Sequence, residues 1–294
     1  MNRGRNTRYN GRRRKSMWIP PGALVALAIL FILIGGTLIY ASSRRKNQQK
    51  AEKKEYAQVR DIPSADLIYT VIPKGTSHQD KEYTGFTVCF NRDNGTANWV
   101  GWELTADKVK GTVPRAKNFW CDTDIDGCPT TDDYRRSGYD RGHLFPAADA
   151  KWSADAMQEC FSLANITPQD NKLNGGAWKK LEDRERTWAS KFGRVIIVSG
   201  PIYQKGDTKR IGDTGVRVPS AFFKVILAPD LEEPSCMGFI YNNSLCPGRM
   251  ENYQMSVDQV EEITGFDFFS ALPDEVENRI EAMANITMWN RSLQ

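Results

Sequence analysis

Residues 18 to 40, WIPPGALVALAILFILIGGTLIY, run twenty-three positions without a charge. Nothing else in this chain of 294 residues limits its architecture as sharply. At about 1.5 Å per residue in a helix, the run can cross a hydrocarbon layer of roughly 30 Å. Seven basic residues and no acid precede it, between Arg3 and Lys15, and six more follow: Arg44, Arg45, Lys46, Lys50, Lys53 and Lys54. The expected organisation is a basic cytoplasmic tail (1–17), one transmembrane anchor (18–40), a polar tether (41–59) and a single domain (60–294) outside the cell. A cleaved signal peptide is the competing reading. The run is long for one, and Ile39 and Ala41 make a poor small-x-small cleavage site.

The net charge of +4 conceals an asymmetry. Residues 1–55 carry thirteen Lys/Arg against two Glu, so 56–294 holds 27 basic against 34 acidic residues and is net −7. A basic balance therefore gives no ground for nucleic-acid binding by the domain; any such function has to come from a local site. Six cysteines, at 89, 121, 128, 160, 236 and 246, all follow the span. An even count outside a membrane favours disulfides, with 121–128 and 236–246 as natural short loops and 89–160 as the remainder. Zinc is the weaker alternative, because histidine is almost absent and no C-x-x-C pair occurs.

Beyond residue 60 the pattern is mixed. TGFTVCFN (84–91) and TANWVGWELT (96–105) read as strands joined at RDNG, and 106–139 reads as irregular. SADAMQECFSLAN (153–165) has weak helical character, and GGAWKKLEDRERTWASKFG (175–193) reads as a helix ending at a glycine. RVIIVSGPIY, RVPSAFFKVILAP and CMGFIYNN read as strands, followed by helices near SVDQVEEITG and PDEVENRIEAMAN. This is an α+β domain without a linker to split it. CDTDIDGC (121–128) reads as a stapled surface loop, with a calcium site as the lesser option, and His78 as an exposed loop residue.

Only two histidines occur, and one of them, His143, closes the tetrapeptide Asp140-Arg141-Gly142-His143. Steps of four from Asn174 reach Trp178, Glu182 and Arg186, which would share one slowly turning ridge of a helix. An i,i+4 salt bridge on a solvated face accounts for that ridge equally well. Together with His143, however, the set suits phosphodiester cleavage. An imidazole can act as base near neutral pH, and an amide oxygen is a hard ligand for magnesium. A carboxylate can hold a water on the ion, and a guanidinium can face phosphate.

DRGH followed by NITPQ…LN.GAW..LE..ER resembles the DNA/RNA non-specific endonuclease family, and WVGWELT, VIIVSGPIY, VPSAFFKVIL and VDQVEEITGFDFFSALP resemble its blocks in the same order. The resemblance covers roughly residues 60–290. It implies a ββα-metal fold with a central antiparallel sheet, and a magnesium-dependent endonuclease, with manganese as a substitute, that leaves 5′-phosphorylated products from DNA and RNA. By position it makes His143 the general base and Asn174 the one direct protein ligand of the metal. Glu182 would bind through water and Arg186 would stabilise the phosphate. Asp140 and Arg141 would brace the loop presenting the histidine, Asn165 and Gln169 would line the site, and Arg115 would contact substrate. The span and cysteines favour a bacterial cell surface over a mitochondrial member of the family. An inactivated nuclease domain serving binding or adhesion is the rival from another class, and no obligate protein partner is implied.

Overall fold

Long strands that are apolar at nearly every position belong in a sheet covered on both faces. The structure, a computed structural model, describes residues 20–284 and 286–291. In chain order it forms α1 (Pro21–Asp61), α2 (Ser64–Ile68), β1 (Gln79–Glu82), β2 (Thr87–Asn91), β3 (Thr96–Thr105) and α3 (Ala106–Val109). Then come β4 (Asp140–His143), α4 (Ala154–Glu159), β5 (Ile166–Gln169), α5 (Lys179–Phe192), β6 (Arg194–Ile202), β7 (Arg210–Ile211) and β8 (Val216–Arg217). The chain ends through β9 (Ala221–Ala228), β10 (Ser235–Asn242), β11 (Gln254–Met255), α6 (Val257–Thr264), α7 (Asp274–Glu281) and α8 (Ile286–Arg291).

Two units partition the chain, Met1–Glu52 and Lys53–Gln294. In the first, the described residues are helical, and the side chains of Leu33, Ile34, Leu38, Ile39 and Tyr40 are exposed. The start of the charge-free run, Trp18 and Ile19, and most side chains from 21 to 32 lie outside the described residues. Among the described residues no helix is long and apolar enough to cross a membrane.

The second unit is built on a seven-stranded sheet in the order β1-β2-β3-β6-β9-β10-β11, every neighbouring pair antiparallel. Alternation along each strand feeds two cores. Val100, Trp102 and Leu104 of β3 and Phe222, Ile226 and Ala228 of β9 point to the face covered by α5 and α4. Trp99 of β3 and Phe223, Val225 and Leu227 of β9 point to the face covered by α2, α6 and α7. The main strands and helices anticipated from sequence form, with α5 stopping at Gly193, where φ is +92°. The helix expected over 153–165 shortens to α4 and a 3-10 turn at Leu163–Asn165.

The same alternation corrects the cysteine pairing. All six thiols are free. Cys89 packs into the α2/α6/α7 core and Cys160 into the α5 core, so the sheet separates them. Cys236 and Cys246 are likewise divided between the two cores. A disulfide needs Cβ atoms within about 4.5 Å, and neither pair can meet that across a sheet. Only Cys121 and Cys128 adjoin, with Cys121 Sγ 3.4 Å from the Cys128 carbonyl oxygen.

The 121–128 loop is held by Asp122 rather than by sulfur. That carboxylate, 3 % exposed, accepts from Lys81 Nζ at 2.8 and 2.9 Å, from Tyr83 Oη and from the Asp124 amide. A buried carboxylate already answered by a lysine and a phenol is no calcium ligand, so the calcium alternative falls. His78 is an exposed loop residue immediately before β1.

Candidate active site

β4 and β5 pair antiparallel as a short ribbon, with Asp140 opposite Gln169 and His143 opposite Ile166. The chain then leads into α5. Gly142 is required here, because a Cβ would lie 2.4 Å from Gln169 Oε1 and 2.6 Å from Gln169 Cβ. His143 therefore emerges from a strand pressed against its partner. Its ring, 9 % exposed, sits between Phe119 and Phe161, with centroids at 5.5 and 4.9 Å. Its Nε2 is buried and has no hydrogen-bond partner. Burial, aided by the Arg115 charge, pushes the imidazole down to about 3, so the ring is neutral near pH 7.

The turn into α5 is not the regular helix that counting in fours assumes. Residues Leu173–Trp178 form a π-helical turn, and Gly176 leaves helical geometry at φ −108°, ψ −108°. The adjacent glycines at 175 and 176 permit that break. Trp178 is fully buried and is no part of a surface ridge. The ridge is thus a correction in detail: Glu182 and Arg186 lie on α5, and Asn174 on the turn before it. All three nonetheless line one cavity of about 350 Å³ together with Arg115, Arg141 and His143.

Asp140 ties β4 to the turn before α5. Its Oδ2 accepts from Asn174 Nδ2 at 2.9 Å and from Asn171 Nδ2 at 3.0 Å. With Nδ2 so engaged, the amide oxygen of Asn174 remains for a hard cation. Glu182 is raised to about 7 by burial, with Glu185 and Asp149 adding to the shift and Lys224 and Arg186 opposing it. A carboxyl so poised would ionise readily beside a cation. The donor set, an amide oxygen and a carboxylate with no thiol or imidazole ligand, fits magnesium or manganese.

Several expected roles change. Arg141 does not brace the loop: it is exposed, and its guanidinium lies 4.4 Å from the Phe119 ring centroid. Arg115, exposed over Phe161, joins the same cavity. Arg186 does not present an open fork, since Nη1 donates to Asp149 Oδ1 at 2.7 Å and Nη2 to Asp183. Asn165 and Gln169 do not line the cavity. Asn165, fully buried, accepts from the Phe145 amide and donates to the carbonyls of Phe145 and Cys160, fastening the segment after His143. Gln169, 1 % exposed, packs under Gly142.

Three buried groups behind the site escape a reading by motif. Asp149 receives Trp102 Nε1 as well as Arg186. Lys224, fully buried in mid-β9, pairs with Glu185 at 2.9 Å and sits 4.7 Å from the Trp178 ring centroid. The signal for Lys224 was a single charge inside the apolar run SAFFKVILA.

The family model for DNA/RNA non-specific endonuclease matches residues 63–275. The chain belongs to the DNA/RNA non-specific endonuclease family. Nuclease C1 of Cunninghamella echinulata is 32 % identical over 227 residues, 71 % of this chain and 90 % of that protein. The mitochondrial nuclease EXOG of Mus musculus is 32 % identical over 212 residues, 66 % of this chain, and the chain spans only 58 % of its length. A crystal structure of the EndoG/EndoGI complex superposes with a TM-score of 0.62 at 28 % identity, covering 66 % of this chain and 86 % of that one. The α+β architecture with its central antiparallel sheet is that of this fold.

Proposed function

We propose that the chain is a membrane-anchored, magnesium-dependent endonuclease that hydrolyses phosphodiester bonds of both DNA and RNA and leaves 5′-phosphates. The observation that carries this reading is a neutral His143, its Nε2 unclaimed, sharing one cavity with Asn174 and Glu182. Nε2 takes the proton of the attacking water, and the neutral ring is the form that can accept it. Asn174 would hold magnesium or manganese directly, through the oxygen that Asp140 leaves to it, and Glu182 would do so through water. When bound, such an ion neutralises charge developing on the phosphoryl and leaving oxygens.

Arg115 and Arg141 have no carboxylate partner among the described residues and supply positive charge to the phosphate from the cavity rim. Arg186, locked by Asp149 and Asp183, contributes a fixed charge to the wall. Phe119 and Phe161 shield the imidazole and hold its orientation. The anchor is residues 18–40, with the domain outside a bacterial cell; the uncharged run and its basic flanks support that placement.

The test is digestion of plasmid and RNA by the full-length chain, with magnesium and with chelator, followed by identification of the product ends. Cleavage of both polymers only with the metal is expected. Cleavage undiminished in chelator would sink the metal assignment. Protease added to intact cells should remove the domain, and full protection until lysis would overturn the orientation.

A further inference from the structure

The face of the sheet turned away from His143 carries a second group of carboxylates. Asp258 and Glu261 stand one turn apart on α6, and Glu281 ends α7; one oxygen of each lies within 4.8 Å of the other two. Asp258 is exposed and Glu261 partly buried, while Glu281 is 3 % exposed. Glu281 Oε1 is buried without a hydrogen-bond partner. No ion pair reaches any of the three among the described residues. Instead Asp267 and Glu277 add like charge around Glu281.

We infer that Asp258, Glu261 and Glu281 together bind a hard divalent cation, calcium in preference to magnesium, and so pin α6 to α7 at a site separate from the catalytic cavity. A buried carboxylate oxygen without a partner calls for an ion or a water, since native interiors leave few such atoms unsatisfied. A proton would neutralise Glu281 yet still leave Oε1 without a partner. A cation answers the charge and the orphaned oxygen together. Burial and its four acidic neighbours push Glu281 up to about 10, and burial together with Asp267 and Asp258 raises Glu261 to about 7, despite the amide of Phe268 that bonds it. Both shifts have the same cause, acids packed together in a buried place without a counter-charge.

The donor set selects the ion. All three donors are carboxylate oxygens. The buried Cys236 thiol feels Glu281, Asp258 and Glu261 electrostatically, yet it lies outside the 4.8 Å group, so a thiophilic metal would lack its favoured ligand. Carboxylates from two helices, one exposed and two withdrawn, suit the variable coordination of calcium better than the near-ideal octahedron of magnesium.

The experiment uses the full-length chain carrying Asn174→Ala, so that an ion in the cleft does not contribute. Thermal melting in chelator is compared with melting in about 10 mM calcium or magnesium. For affinities of about 0.1–1 mM the calcium rise should be about 3–10 °C. Glu281→Gln should abolish the rise while melting no lower than its parent in chelator, because the amide keeps the shape of the protonated carboxyl and carries no charge. Asp258→Asn, at an exposed position that cannot endanger folding, should reduce the rise. An absent calcium shift, or one equal in the parent and both variants, would overturn the site. A larger shift with zinc that depends on Cys236 would overturn its oxygen-donor chemistry.

Discussion

Asp122 and Glu281 are equally buried, each 3 % exposed, and their surroundings could hardly differ more. Asp122 accepts from Lys81, Tyr83 and a backbone amide. Burial works against its ionisation, but those donors prevail and hold its carboxyl below the usual range. Glu281 meets only other acids and is pushed far up. Burial alone does not decide what a charged group does; the partner decides. An answered group fastens structure, as Asp122 fastens 121–128; Glu185 is answered in charge by Lys224, through Oε2, although its Oε1 is left without a partner. A buried group left unpartnered among like charges, or on the wall of a cavity, is where something from outside the chain belongs. His143, with its buried and unpartnered Nε2, stands with Glu281 on that side of the division.

The largest effect should come from removing the unanswered imidazole. His143→Ala should lose about 10²–10⁴ in turnover on DNA and RNA, the usual cost of losing a general base. His78→Ala, at an exposed loop position, should cut like the wild type. Retention of more than about a tenth of the activity by His143→Ala, less than the loss of a general base should allow, would move the base elsewhere and break the comparison at its functional end.

Next in size is the converse experiment on an answered pair. Lys224→Met leaves Glu185 charged and alone in the core, which should destabilise the domain by about 3–5 kcal/mol. Adding Glu185→Leu should recover most of that loss, since replacing both partners with apolar groups is often nearly neutral. Urea unfolding monitored by tryptophan fluorescence reads both variants. A double variant no more stable than Lys224→Met alone would mean that the pair does more than satisfy itself.

This division also explains what sequence could convey. The helix of LE..ER and the strands of the central sheet were legible because each is a local pattern of spacing and turn residues, whereas the pairing of DRGH with ITPQ was not. Asn165 was misplaced because a polar residue in an apolar stretch can either face substrate or satisfy backbone, and only the fold brings Phe145 and Cys160 to it. Lys224 and Glu185, 39 positions apart, become partners only through the packing of α5 on β9. The 89–160 pairing failed for a reason that was on view: Val88 and Phe90 flank Cys89 and claim the opposite face, the face to which Cys160 belongs. The kink before α5 was signalled by Gly175-Gly176 and overridden by counting in fours.

Proton linkage should separate the two acids with opposite signs. Asp122 titrates lower in the folded chain than in the unfolded one, so its contribution is present above about pH 4 and is lost as pH falls. Glu281, raised to about 10, favours the folded chain fully below its ordinary value of 4.5 and loses that contribution as pH rises through about 10. In chelator, therefore, stability should decline between neutral pH and pH 10 more steeply for the wild type than for Glu281→Gln. Parallel curves for the two proteins would show that Glu281 does not titrate in that window.

The smallest effect sharpens the comparison at its structural end. Lys81→Ala removes one answer to Asp122 but leaves Tyr83 Oη and the Asp124 amide in place. Lys81 is a quarter exposed, so water can partly replace its ammonium. The cost should be about 1–2 kcal/mol, between an exposed ion pair and a buried one. Asp122→Asn should cost at least as much, since the amide can still accept from the backbone but no longer balances the lysine. Combining the two changes should give less than the sum of the single losses, because each has already broken the same contact. Strict additivity in urea unfolding would mean that the lysine contributes nothing through Asp122, and that the loop rests on Tyr83 and the backbone alone.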